Sequence, residues 1–157
     1  MRELALARPA VTVATIVVRD GAFLLVEEAT RAGLRFNQPA GHLEAGETLI
    51  DAAVRETLEE TGHHVRPVAL IGIYRWQAPE TGATFLRFAY AADVVAHDRG
   101  RPLDEGIVQI HWLGYEALVA CRERHRSPLV LRCVDDFRAG RRHPPDLVVD
   151  YGAGATQ

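Results

Sequence analysis

Between Gly41 and Gly62 the chain reads GHLEAGETLIDAAVRETLEETG, five glutamates and one aspartate in 22 residues, with Glu56, Glu59 and Glu60 gathered near its end. Neighbouring carboxylates about 5 Å apart repel by roughly 3 kcal/mol at an effective dielectric of about 20, before solvent screening. Such crowding calls for a positive charge among them. Hard oxygen donors on one helical face suit Mg²⁺ or Mn²⁺, which keep part of their water shell and share the rest with substrate phosphate. The chemistry they point to is metal-assisted attack on phosphate. A solvated acidic helix is the ordinary alternative, but it gives no reason for Gly41, Glu44, Gly46 and Glu47 ahead of the helix.

The elements that must position these acids can be read outward from them. Thr48 is the expected N-cap of a helix from Leu49 to Thr61, Asp51 three residues on gives a capping-box-like start, and Gly62 is the expected stop. At about 100° per residue, Glu56, Glu60 and, to one side, Glu59 share a face with Ala52 and Ala53. Ile50, Val54 and Leu58 fall opposite and are expected to anchor the helix to a sheet. Upstream, Val11 to Val18 and Ala22 to Glu27 read as two strands, expected to be antiparallel across the Arg19-Asp20-Gly21 hairpin signal. A loop rich in turn formers is expected from Arg31 to Gly46. Downstream, VALIGIYRW and ATFLRFAYAADVV read as strands separated by a turn at Pro79 to Gly82, and GIVQIHWL as a short strand. YEALVACRERH and SPLVLRCVDDFRAG have helical spacing, the second starting at Ser127-Pro128 and ending at Gly140. Strands, a helix, strands and then helices predict an α/β (α+β) sandwich.

Gly41, five residues, Glu47, seven residues, Arg55-Glu56, two residues, Glu59-Glu60, one residue, Gly62 resembles the box that marks the Nudix hydrolases. Thr57 and His63 depart from it, standing where the family carries bulky aliphatic residues. FNQPAGHLEAGETL, RWQAP, FLRF, RSPLV and the basic, proline-containing tail are similar to bacterial Nudix phosphatases, so the resemblance spans most of the chain. It implies an α/β/α sandwich around a mixed sheet, with the box forming loop, helix and loop.

The resemblance also implies roles. Glu56, Glu59 and Glu60 would bind Mg²⁺ (Mn²⁺ is the alternative), the backbone carbonyl of Ala40 would add a ligand, and Glu47 and Arg55 would orient the acids, with Gly41 and Gly62 closing the box. The general base varies in the family; Asp104 and Glu105, in the turn before GIVQIHWL, are the candidates outside the box, with Glu105 preferred. Arg35, Arg75 and Arg87 are candidates for holding phosphate. Phe36, Tyr74, Trp76 and Phe88 are candidates for stacking on a base, and Asn37 and Gln38 for reading its edge. The implied activity is removal of phosphate from nucleoside tri- and diphosphates and from hydroxymethylpyrimidine pyrophosphate or thiamine pyrophosphate. Hydrolysis of ADP-ribose or another nucleoside-diphosphate sugar is the alternative, because Pro79 lies near where that subgroup carries a proline. A non-catalytic nucleotide-binding member would be expected to lose box acids, and this chain keeps them all.

Composition bounds the rest. A chain of 157 residues with 48% hydrophobic and 25% charged residues and a formal net charge of −3 has no general pull towards nucleic acid polymers or anionic membranes. The expected partner is a small phosphoanhydride. Two cysteines, Cys121 and Cys133, lack metal-site spacing and read as free thiols, and the broken apolar runs of the N-terminus fit neither a signal peptide nor a spanning helix. A cytoplasmic location is expected. Residues 1–145 are expected to form one domain, followed by a tail at 146–157 whose composition predicts partial disorder. No heptad or exposed apolar run marks an oligomer interface.

Overall fold

In the computed structural model, which describes residues 7–152, two four-stranded sheets share one long chain of strands and turns. The first sheet has the order β5-β1-β7-β6, from Ala40–His42, Ala10–Ile16, Thr84–His97 and His63–Gln77. β1 runs parallel to β7, while the other pairs are antiparallel, so the sheet is mixed. In the second sheet β3 (Ala22–Thr30) pairs β8 (Ile107–Gly114) along one edge and β2 (Val18–Arg19) and then β4 (Gly33–Asn37) along the other.

Alternation along the strands divides the core. Val13, Leu70 and Tyr90 face α1 (Leu49–Thr61), whose Ala52 and Ala53 pack on them. Ile16, Ile71 and Ala91 face the opposite way, onto Phe23 and Leu25 of the second sheet, Leu118 of α2 (Tyr115–Ala120) and Val130 and Val134 of α3 (Leu129–Arg138). The layers are the α/β/α sandwich expected from the sequence. No helix among the described residues is long and apolar enough to cross a membrane.

Several local expectations need correction. Val11 to Val18 is not one strand paired with Ala22 to Glu27: only Val18 and Arg19 pair there, with Phe23 and Ala22, while β1 lies in the other sheet beside β7. An unbroken apolar run carries no mark of where the chain changes sheets. The segment from Arg31 to Gly46 contains β4 and β5 as well as turns. On α1 the buried face is Ala52, Ala53, Thr57 and Thr61, whereas Ile50, Val54 and Leu58 are only half-buried. Small residues let the helix axis lie close to β1, and the Thr57 hydroxyl makes a 2.8 Å hydrogen bond with that of Thr15 while donating to the Ala53 carbonyl at 2.7 Å. Thr57, an apparent departure from the box, is therefore a satisfied core residue. Just ahead of the 146–157 tail, His143 and Leu70 exchange two 2.8 Å backbone hydrogen bonds, and Pro145–Leu147 forms a 3₁₀ turn that leads into it. Its last five positions, like the first six of the chain, lie outside the described residues.

Candidate functional site

The ends of α1 are made by the residues expected to make them. The Thr48 hydroxyl accepts from the Asp51 amide at 3.1 Å, and Gly62 takes a left-handed conformation, φ 71°, with its amide on the Leu58 carbonyl. A Cβ on Gly62 would also stand 2.7 Å from the Asp98 carbonyl, so the position admits glycine alone on two counts. Gly41 has a different reason. Its backbone is ordinary, but an added Cβ would sit inside the Glu56 carboxylate.

Arg55 organises the acids around it. Its Nε and Nη2 donate to the two oxygens of Glu47 at 3.0 and 2.7 Å, Nη1 donates to Glu56 at 2.9 Å and Glu59 at 3.1 Å, and Nη2 also reaches the His42 carbonyl at 3.0 Å. The paired guanidinium holds the Glu47 carboxyl below the usual range, and Glu47 in turn holds Arg55 more firmly as a cation. The Glu47 Oε1 accepts from the Glu44 amide at 2.8 Å, which folds the loop onto the helix; the exposed Glu44 side chain adds only a 3.7 Å contact to Arg55.

Carboxylate oxygens of Glu56, Glu59 and Asp104 lie within 4.8 Å of one another. Asp104 arrives because its amide donates to the Glu59 carbonyl at 3.0 Å, pinning the 98–107 turn to the end of the helix. Glu105, the residue preferred from the sequence, is exposed and is not part of this group. The turn points one of two adjacent acids inward, and spacing cannot choose between them. Glu60 lies beside this group but buried, and accepts from the Ala40 amide of β5 at 3.0 Å. Burial, with Glu28, Glu56 and Asp104 nearby, pushes its carboxyl up to about 9. Burial likewise raises Glu56 against the opposing pull of Arg55. Three hard oxygen donors converging on one point, with a fourth carboxyl held beside them, fit a divalent cation such as Mg²⁺ or Mn²⁺.

Ala40, Gly41 and His42 form one wall of a cavity of about 180 Å³ whose other walls include Glu28, Asn37, Trp76, Phe85, Arg87, Arg126 and Ser127. The Trp76 and Phe85 rings stack with centroids 5.7 Å apart. Arg87 is buried, and among the described residues its side-chain hydrogen bonds go to neutral groups, Gln38 at 3.1 Å and Asn37 at 3.2 Å, with the Glu28 carboxyl close enough to feel its charge. A cation so placed is available to an anion in the cavity. Gln38 is buried, with Nε2 donating to the Val130 carbonyl at 2.7 Å, and serves to hold Arg87. Phe36 belongs to the core, edge-on to His111, and does not line the cavity. Arg35 turns its guanidinium to the Leu34 carbonyl, and Arg75 borders a separate cavity beside α3. Tyr74 is also core, donating to Asp136 at 2.8 Å, and Phe88 packs under α1. Of the aromatic candidates, Trp76 alone reaches the cavity, joined by Phe85, which sequence reasoning missed together with Glu28, Arg126 and Ser127. The serine and arginine lay in RSPLV, a segment the family resemblance had already singled out.

The NUDIX domain profile matches residues 6–133. The chain belongs to the Nudix hydrolase family. Phosphatase NudJ of Escherichia coli K12 is 39% identical over 144 residues, covering 92% of this chain and 93% of its own. A solved NUDIX hydrolase from Nitrosomonas europaea is 46% identical, with a TM-score of 0.90 over 94% of this chain and 100% of that one. The MutT protein of Methanosarcina mazei Go1, 20% identical with a TM-score of 0.68 over 88% of this chain and 100% of its own, shares the fold. As a Nudix hydrolase the protein cleaves phosphorus-containing anhydrides.

The second departure from the Nudix box, His63, is also a packing residue. It is buried, stacks on His97 with centroids 3.9 Å apart and meets Trp112 edge-on, and burial and His97 hold it down at about 4, neutral at physiological pH.

Two predictions arise from the box itself. Arg55→Lys replaces a fork serving four acceptor groups with a point charge, and is expected to lower kcat by about 10–100-fold with a smaller change in KM, measured by steady-state kinetics. In protein stripped of divalent ions, Glu60 binds its proton more tightly folded than unfolded. Its contribution is therefore complete below about pH 4.5 and is lost as pH rises towards about 9. The Tm of the stripped protein is expected to fall over that range by about 5 °C or more, and Glu60→Gln to flatten the fall, as read by thermal scans at stepped pH.

Proposed function

We propose that this Nudix hydrolase is a Mg²⁺-dependent phosphatase of nucleoside tri- and diphosphates, with hydroxymethylpyrimidine pyrophosphate and thiamine pyrophosphate in the same substrate range. The observation that carries this reading is the convergence of Glu56, Glu59 and Asp104 beside a small cavity lined by two arginines and two stacked aromatic rings. The likeness to phosphatase NudJ, over nearly the full length of both chains, supports release of phosphate as the outcome. Residues 1–145 would then be a single catalytic domain.

Glu56 and Glu59, with Glu60 and the Ala40 carbonyl, would hold Mg²⁺ or Mn²⁺, which when bound supplies neutralisation of phosphate charge and a more acidic water. Arg55 keeps the Glu56 and Glu59 carboxylates aimed at one point, so that little reorganisation is needed when substrate arrives. Asp104 takes the proton from the attacking water. It is the one acid of the convergent group that lies outside the box and outside the Arg55 fork. Arg87 and Arg126 hold phosphate oxygens, and the Trp76 and Phe85 pair gives the ring of the substrate a flat apolar wall.

A second reading, hydrolysis of a nucleoside-diphosphate sugar, is favoured by one feature. Trp76, Arg126 and Ser127 also border an adjoining groove lined by the exposed Pro79, which offers room for a second sugar. A panel of nucleoside tri- and diphosphates, hydroxymethylpyrimidine pyrophosphate and ADP-ribose, scored with Mg²⁺ for orthophosphate, pyrophosphate and phosphosugar, separates the two. Orthophosphate from the first three is expected. Turnover of ADP-ribose alone, giving AMP and ribose 5-phosphate, would replace the first reading with the second.

A further inference from the structure

β3 carries two consecutive glutamates on opposite faces, and they are not equally served. Glu27 is closed off by His111 at 2.8 Å and by Arg124. Glu28 lies on the cavity side and is the only acid among the cavity's lining residues. Its side chain is only 15% exposed, yet its two polar partners are both distant: the Asn37 amide at 3.4 Å and the Arg126 guanidinium at 3.4 Å. A largely buried carboxyl with two long contacts has lone pairs to spare.

A directional hydrogen-bond chain sets what those lone pairs can do. Gln38 must donate through Nε2 to the Val130 carbonyl, which leaves Oε1 to accept from Arg87. Arg87 then donates to Asn37 Oδ1, so the Asn37 amide turns its Nδ2 towards Glu28. The chain ends in the Asn37 donor aimed at Glu28, Arg126 is a second donor, and neither asks the carboxyl for a proton. The residue is thereby held as an acceptor at the edge of a cavity whose aromatic wall suits a flat ring.

We propose that Glu28 is the specificity-determining residue of this site: it accepts a hydrogen bond from an exocyclic amine on the ring of the substrate, selecting amino-substituted heterocycles over their oxo counterparts. The inference rests on the hydrolase site placed in this cavity. An amine supplies a donor for the lone pairs that the long Asn37 and Arg126 contacts leave spare. A carbonyl at the same position sets lone pairs against lone pairs and leaves a buried acceptor unserved, which is the kind of mismatch that hydrogen-bonding sites reject strongly. Glu28→Gln reverses the polarity, because Asn37 still donates to the amide oxygen and the amide NH₂ is left to face the ring.

The test compares binding of cytidine and uridine monophosphates, by titration calorimetry, to the wild-type protein and to Glu28→Gln, alongside Mg²⁺-dependent hydrolysis of CTP, UTP and inorganic tripolyphosphate. The wild-type protein is expected to bind the cytidine ligand about tenfold more tightly or better, and the variant to lose or invert that preference. The kcat/KM ratio for CTP over UTP should move with it. Equal affinities in the wild-type protein, or a preference unchanged in the variant, overturn the proposal. So does a parallel loss on tripolyphosphate, which has no ring and would mark Glu28 as acting on the reacting water. Discrimination in binding without hydrolysis of any nucleotide counts against the phosphatase reading and leaves Glu28 in its role.

Discussion

Glu59→Gln is expected to lower kcat/KM for Mg²⁺-dependent phosphate release by about 10³-fold, the scale seen when a preorganised charge-stabilising group is removed. The amide keeps the shape of the side chain and its place 3.1 Å from Arg55, so the loss would come from charge and not from collapse of the helix. The Tm of the metal-stripped variant should be unchanged or higher, since one of three mutually repelling carboxylates is gone. Asp104→Asn is expected to fall by a comparable factor and Glu105→Gln to stay within about threefold of wild type, because only the former carboxylate meets Glu56 and Glu59. Steady-state kinetics across Mg²⁺ concentration and pH would decide. Full activity in Glu59→Gln would remove it from the metal site, and the reverse order at 104 and 105 would return the base to the residue preferred from the sequence.

Gly41→Ala should be nearly as damaging although it changes no charge. The new methyl would occupy the space of the Glu56 carboxylate, and β5 cannot retreat easily because Gly41 is paired with Val13 of β1. Glu56 must then swing away, breaking its 2.9 Å contact with Arg55 and leaving the convergent group of acids. Activity is expected to drop by about 10²-fold or more, and the stabilisation of the protein by added Mg²⁺, read as a shift in Tm, to shrink with it. Activity within about threefold of wild type would show that Glu56 is free to leave its place without consequence.

The box was legible because its constraints are local. Thr48, Gly62 and the spacing of Arg55 from Glu47, Glu56 and Glu59 act within a loop and one helix, and the helix has the bounds its caps predict. The packing face of that helix was not legible. Ile50, Val54 and Leu58 looked like the anchor on hydrophobicity, whereas close approach to β1 favoured Ala52, Ala53 and Thr57. Among the substrate candidates, Arg87 and Gln38 are joined, but as cavity cation and its buried support, while Phe36 went to the core. Burial is a property of what lies across the layer, and a strand sequence does not state it.

By itself, then, the amino-acid sequence determined the family, the helix with its caps and the set of acids, because each depends on residues a few positions apart. Only the tertiary structure decided that Asp104 joins Glu56 and Glu59 while Glu105 does not, that Glu60 is buried against Ala40, and that Glu28, Arg87 and Trp76 share one cavity. Those outcomes depend on β3, β5, β6 and β7 lining one cavity and on the 98–107 turn docking on the end of α1. Contacts between segments so far apart in the chain follow from which layers pack together, and no spacing along the sequence encodes them.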